Sequence, residues 1–535
     1  MSHTHHRHFK RICTAGLALS LLLGVASNSQ AGKDELVLAL GGESVGEQGY
    51  DPTMGWGSYG APLFQSTLLK RDADLNIVPD LATTWKLAED RKSWTIQIRD
   101  GVLFSDGSPL TAKDVAYTFT TAAKAGGTLD LSNLEKAEAT DDHTVVISMK
   151  TPDITFIQHL ITLGIVPAAK HGPDYARKPI GSGPYQLVRW DEGQQLIVET
   201  NPHYYGNKPT IKRLVFLFSE EDATIAAGKA NQVDVLGVPS SLAGQDLPGM
   251  VLHVVKSVDN RGFMFPTVPN EGKKTPSGVA IGNDVTSDVA IRKAVNYAID
   301  RATLVAGVLN GHGRPAYGVV DNLPWDNPDI RFTDNDPDTA KSILEAAGWK
   351  DSDGDGIREK DGRKAEFTVL YNAKDTLRQG LALAVSDMLK PVGINAIPQG
   401  ESWDRIKTEL THSNVVVYGF GDHSPLEMDK LYRTPGPEPM YWNAGFYSNP
   451  TVDKYLDEAK AASSFEEAIP LWKKAQWDGN TGFTVPGDAA WAWLVNLDHT
   501  YYVNKCLDVG KSQMEPHGHG WPITANISEW RWTCE

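Results

Sequence analysis

Apolar positions along the chain recur with two periods that replace one another from stretch to stretch. Leu36, Val37, Leu38, Ala39 and Leu40 form an unbroken apolar run, which predicts a buried strand. Residues 94–99 alternate, with Trp94, Ile96 and Ile98 on one face, as a half-buried strand does. That run leads to Asp106-Gly107, a turn signal, and then to 111–119, which reads as helix. Residues 144–149 predict another strand. Across 288–308, Val289, Ile291, Ala294, Val295, Ala298 and Ile299 return at helical spacing. Shorter amphipathic helices are predicted over 337–347, ending at Gly348, and over 377–389. Strands and helices that alternate throughout predict the α/β class.

The first residues follow a different pattern. Arg7, Lys10 and Arg11 precede an apolar run over 12–25, and Ser29-Gln30-Ala31 offers small residues for cleavage. This is an export signal over 1–31, and the run is too short for a stable membrane span. The expectation is a free periplasmic protein cleaved near Ala31. Cys13 lies inside the run, without the small-residue context of a lipid-attachment site, so no anchor is expected. His3, His5, His6 and His8 leave with the signal.

What remains is roughly 500 residues, enough for two to four domain-sized units. The net charge is −16, and it becomes more negative once three basic residues depart. Such a surface repels nucleic acid and anionic lipid. Of three cysteines only Cys506 and Cys534 survive, and an oxidising compartment favours a disulfide between them over a metal or catalytic role.

Chemistry-bearing motifs are few. Residues 351–362 begin like a calcium-binding EF-hand loop, with Asp351, Asp353 and Asp355, but Gly362 stands where the bidentate glutamate belongs. A turn is expected there, with weak calcium binding as the alternative. An exported hydrolase would need an activated nucleophile or a paired acid site, and no Ser/His/Asp, Cys/His or phosphate-loop arrangement stands out.

Ordered blocks across nearly all of the mature chain give a stronger signal. Residues 94–115, Gly181-Ser-Gly-Pro-Tyr185, Asn201-Pro-His-Tyr-Tyr-Gly206, 291–300, 346–357 and 447–453 resemble, in order, the blocks of family 5 extracellular solute-binding proteins. That is the dipeptide, oligopeptide and nickel group serving ABC importers. The resemblance implies a two-lobed periplasmic-binding-protein fold (type II, cluster C), with an extra subdomain in lobe I. Lobe I would cover 32–260, with the inserted subdomain at about 61–189; lobe II would cover 261–492, and 493–535 would return to lobe I. It also implies a non-enzymatic, monomeric protein that closes around a small ligand and presents it to an ABC permease.

Several stretches resemble cleft walls of that family. Met54, Trp56 and Tyr59 follow the first strand and would offer a soft sulfur and flat rings, or else pack the strand-to-helix joint. Asp422 and His423 follow the glycines of 415–425, where peptide-binding relatives place an ammonium-holding aspartate and nickel-binding relatives a histidine. The alternative for Asp422 is to cap the helix that begins near Leu426. Trp493, with Trp491, Tyr501 and Tyr502, could form an aromatic wall. His517 and His519 flank Gly518, and imidazole suits nickel, copper and zinc. The alternative is a loop packed under Trp521. No resident cofactor is expected; nickel would be cargo, captured as a small-molecule chelate, with a dipeptide or oligopeptide as the alternative ligand. The segment 160–167 lacks the arginine that one enteric nickel-binder type presents to its chelate, so that mechanism does not carry over.

Overall fold

A computed structural model describes residues 33–43, 49–57, 63–125, 129–436, 441–518 and 521–534. The expected export signal, Tyr59 and His519 lie outside the described residues. Among the described residues no helix is long and apolar enough to cross a membrane.

One sheet of eleven strands runs through the molecule. In chain order they are β1 (Glu35–Ala39), β2 (Tyr185–Asp191), β3 (Gln195–Thr200), β4 (Arg213–Leu217), β5 (Val235–Val238) and β6 (Met250–Met264). Then follow β7 (Gly313–Pro315), β8 (Glu366–Asn372), β9 (Asn395–Glu401), β10 (Val415–Tyr418) and β11 (Trp491–Asn504). Across the sheet the order is β9-β8-β10-β6-β11-β5-β1-β4-β3-β2, with β7 attached to β11. Each end has a parallel core, β4-β1-β5 on one side and β9-β8-β10 on the other. The long antiparallel pair β6/β11 joins them. The first half of β6 therefore belongs to one lobe and its last residues to the other. The register breaks between Lys256 and Asn260, and such a bulge bends a strand without ending it.

Between β1 and β2 the chain leaves this sheet to form a four-stranded antiparallel one over 82–149. Helix α1 (Ala112–Ala125) covers it and buries Val115 and Phe119 against Trp94, Ile96, Val145 and Ile147. The short α2 (Ile157–Thr162) follows. The inserted region was expected to extend to about residue 189, whereas the strand from Tyr185 already lies in the large sheet.

Helices α3 (Glu221–Lys229), α4 (Val289–Ala298), α5 (Arg301–Gly307), α6 (Pro337–Ala346), α7 (Thr376–Leu389) and α8 (Leu426–Tyr432) complete the parts that position the site. The single helical stretch expected over 288–308 is two helices. Ile299 is extended, and Asp300 caps α5 by accepting from the Thr303 N–H at 2.9 Å. The break lets Arg301, wholly buried, reach the carbonyls of Asn296, Ala316 and Trp493.

The C-terminal tail packs on lobe I. Trp521 stacks on Phe216 at 4.1 Å, and Cys506 is bonded to Cys534 beside a short paired ribbon of Leu507–Asp508 and Arg531–Trp532. Opening a loop of 28 residues releases unfolded-chain entropy. Cys506→Ser with Cys534→Ser should therefore lower stability by about 2–4 kcal/mol. Denaturant melts of the double variant and of the oxidised wild type check this. Equal midpoints would show that the bond contributes nothing.

Candidate functional site

The site begins with charge inside a strand. Asp259, Asn260 and Arg261 interrupt the otherwise apolar second half of β6, and all three are buried. A buried carboxylate must be paired. Asp259 accepts from Arg261, from His517 Nδ1 at 2.6 Å and from His499 Nε2 at 3.2 Å. Burial would raise its pKa, but Arg261 and His517, aided by His499, hold it well below the ordinary carboxylate range. Glu515, also buried, accepts from His499 Nδ1 and from the Tyr501 hydroxyl at 2.7 Å.

The same pairings steer the tail. The Glu515 N–H donates to the Lys256 carbonyl and its own carbonyl accepts from Val258, so the tail lies along the bend in β6. Two residues on, the His517 N–H donates to the Gly421 carbonyl at 2.8 Å. The histidine tail and the loop that follows β10 thus meet at the hinge.

That loop comes close because of its glycines. A Cβ on Gly419 would sit 2.6 Å from the Asn260 carbonyl oxygen. One on Gly421, at φ +151°, would sit 2.4 Å from that of Val258. Beyond them Asp422 faces the inserted subdomain, where Gln158 of α2 donates to it at 3.2 Å and Lys430 of α8 stands at 3.9 Å. Burial pushes the Asp422 carboxyl up to about 6, against the pull of Lys430. Just before α8 the Ser424 hydroxyl accepts from the Leu426 N–H at 3.2 Å. His423 is buried with no partner on Nε2, and its carbonyl accepts from Arg71 at 3.1 Å. Burial and the Arg71 charge lower its pKa to about 3, so the imidazole is neutral.

On the other flank of the hinge a cavity of about 380 Å³ opens between the lobes. Its walls are the segments after β1, β4 and β5, the start of α7, and Asp259, Arg261 and Gly518. These are carboxyl ends of parallel strands, where open α/β sheets receive ligands. Arg261 and Arg378 are nine-tenths buried, and each has an Nε without a partner; Arg378 also lies over the Trp403 ring at 5.2 Å. The lobes touch on both flanks, through Arg71 and Gln158 on one side and through the Thr376 hydroxyl to Glu221 at 3.2 Å on the other.

The residues singled out from sequence fall in different places. Asp422, His423 and His517 come together at the hinge. Met54 is half-buried in a turn capped by Asp51. Trp56 packs edge-on against Tyr50 and Trp521, inside the lobe I core rather than on a cleft wall. Trp493 stacks on Trp491 at 4.6 Å and donates to the Tyr432 hydroxyl, inside the lobe II core. Both indoles satisfy packing because strand alternation and turn geometry aim them inward. Sequence reading overlooked Arg71, Gln158, Asp259, Arg261, Arg378, Lys430, His499 and Glu515. Only Asp259-Asn260-Arg261 carried a signal, three polar residues within an apolar strand. The acidic loop forms the expected turn: carboxylate oxygens of Asp351, Asp353, Asp355 and Glu359 lie within 4.8 Å of one another, and Lys364 pairs with Asp353 and Asp355.

His499 gives the hinge a pH signature. Burial disfavours its charged form, but hydrogen bonds from both ring nitrogens to Asp259 and Glu515 outweigh this and raise its pKa to about 9. A raised folded-state pKa stabilises fully below the unfolded value near ~6.5 and is lost as pH rises through about 9. The shift corresponds to about 3 kcal/mol at most. The melting temperature should fall between pH 7 and 10, and His499→Gln should flatten that fall. An identical pH profile in the variant would refute the assignment.

The profile of bacterial extracellular solute-binding proteins, family 5, matches residues 76–458. Protein XP55 of Streptomyces lividans is 33% identical over 484 residues, covering 87% of this chain and 84% of the relative. The oligopeptide-binding protein AppA of Bacillus subtilis is 27% identical over 499 residues, covering 85% and 89%. The crystal structure of NikZ from Campylobacter jejuni in complex with Ni(L-His) superposes with a TM-score of 0.80 at 23% identity, over 93% of this chain and 99% of NikZ. A two-lobed α/β body hinged on a paired strand, with its polar groups gathered in the cleft, accords with these likenesses: the chain belongs to the family 5 bacterial extracellular solute-binding proteins, and is the substrate-binding component of an ABC importer, not an enzyme.

Proposed function

We propose that this binding protein captures nickel as a chelate with a small amino-acid-like molecule. One observation carries the reading: His517 is held at the hinge through Nδ1 by the buried Asp259 carboxylate. A carboxylate on one ring nitrogen is the arrangement that orients a metal-ligating imidazole, and ligation would then go through Nε2. His423, neutral and buried one residue from Asp422, supplies a second imidazole. Arg261 and Arg378 suit the carboxylates of an organic chelator. The Ni(L-His) complex of NikZ belongs to a protein that shares the fold; for this chain the support comes from its own residues. His519 joins the reading as a further imidazole.

Peptide capture is the second reading. Asp422 favours it, as a carboxylate set in the seam between inserted subdomain and lobe II. In either case the protein works as a monomer in the periplasm, after loss of residues 1–31, and the permease reads the closed form.

Calorimetry with nickel alone, with nickel plus L-histidine and with short peptides separates the readings. The wild type should bind nickel–histidine, and His517→Ala should weaken it by about 10–100-fold, the range for disturbing a metal site. An unchanged affinity in the variant, or a wild type that binds peptide and no nickel, would replace the metal reading with the peptide one.

A further inference from the structure

The seam beside Asp422 holds an ammonium of the protein's own. α8 places Glu427 and Lys430 one turn apart, so both reach the seam. The Lys430 ammonium lies 3.3 Å from Glu427 Oε2, 3.9 Å from Asp422 Oδ2 and 5.0 Å from the centre of the Trp442 ring. Two carboxylates and an indole face are the surroundings that bind a primary ammonium. Both carboxylates are largely buried, with side-chain exposures of 11% for Asp422 and 1% for Glu427. Their charges need compensation from within reach. Arg71 contributes from across the seam, where its guanidinium bonds Gln158 and the His423 carbonyl. Among the described residues, two carboxylates thus face two cations across the seam.

We propose that Lys430 is a specificity-determining residue: it fills the cleft's ammonium position itself, so ligands bearing a free primary ammonium are rejected and those whose amines are blocked or metal-bound are accepted. The inference rests on the chelate reading in one respect only, that an amino acid wrapped on nickel has no ammonium to offer. An incoming ammonium would have to displace a tethered one of equal charge or lie against Arg71. Both are unfavourable in a low-dielectric seam.

The test uses tri-alanine and N-acetyl-tri-alanine, which differ in the ammonium, and contains no metal. By calorimetry the wild type should show no preference for tri-alanine. Lys430→Met keeps the stem and loses the charge, and should bind tri-alanine at least about tenfold more tightly than its acetylated form. Lys430→Arg should behave as the wild type does. If Lys430→Met does not fold in a thermal melt, Lys430→Met/Glu427→Gln removes the charge pair together and should show the same gain. A wild type that prefers tri-alanine tenfold or more overturns the proposal, as does a folded charge-removing variant that gains no preference. Titration of the wild type with nickel–histidine reads the chelate assignment separately, so either idea can fail alone.

Discussion

The cleft depends on one buried carboxylate. Asp259 sits midway along a strand that both lobes share, away from water, and its charge persists because a guanidinium and two imidazoles converge on it. Arg261 comes from the same strand, whereas His499 on β11 and His517 in the tail come from distant places in the chain. Removing one partner from such a buried network typically costs about 3–5 kcal/mol, because it strands the remaining charge. The network therefore constrains the whole hinge. It fixes the register where β6 and β11 cross, sets the course of the tail, and aims His517 at the loop after β10.

The cleft geometry follows from that crossing. Both parallel cores point their carboxyl ends toward the gap between lobes, and the glycines at 419 and 421 allow a loop to lie against the hinge backbone itself. Polar groups then collect there because the surrounding packing leaves them nowhere else to satisfy one another. Among the described residues the lobes meet through Arg71, Gln158 and Arg91 on one flank, where Phe465 also packs against the inserted subdomain, and through the Thr376 hydroxyl on the other. Weak contacts suit a protein that must open, since a ligand can shift the balance only by what it gains in the closed form over the open one.

Charge arithmetic inside the cleft differs from that of the surface. The protein as a whole is strongly acidic, yet the seam at Asp422 carries its own lysine and arginine, and Arg261 lines the cavity on the other flank. Overall acidity keeps such a chain soluble and acts only over about a Debye length. Local compensation decides what the cleft tolerates.

The sequence by itself determined the class of fold and most of its elements. Unbroken and alternating apolar runs became β1 and the strands of the inserted sheet, and the helical periods near 112, 337 and 376 became helices, because local propensity and burial agree at those places. It also pointed to Asp422, His423 and His517, whose residue types stand next to glycines in a loop and a tail. Tertiary structure alone decided the rest. The stretch over 288–308 kept its apolar period across Asp300, but the side chain caps a new helix and Arg301 turns inward, a choice made by partners nearly 200 residues away. Trp56 and Trp493 read as surface-ready aromatics, yet the rings they face lie elsewhere in the chain and draw them into two cores. The convergence of Arg71, Gln158, Asp422 and Lys430 joins three segments up to 352 residues apart. No local pattern encodes such a meeting, because charge pairing depends on distance in space, and only the folded sheet brings those distances below 4 Å.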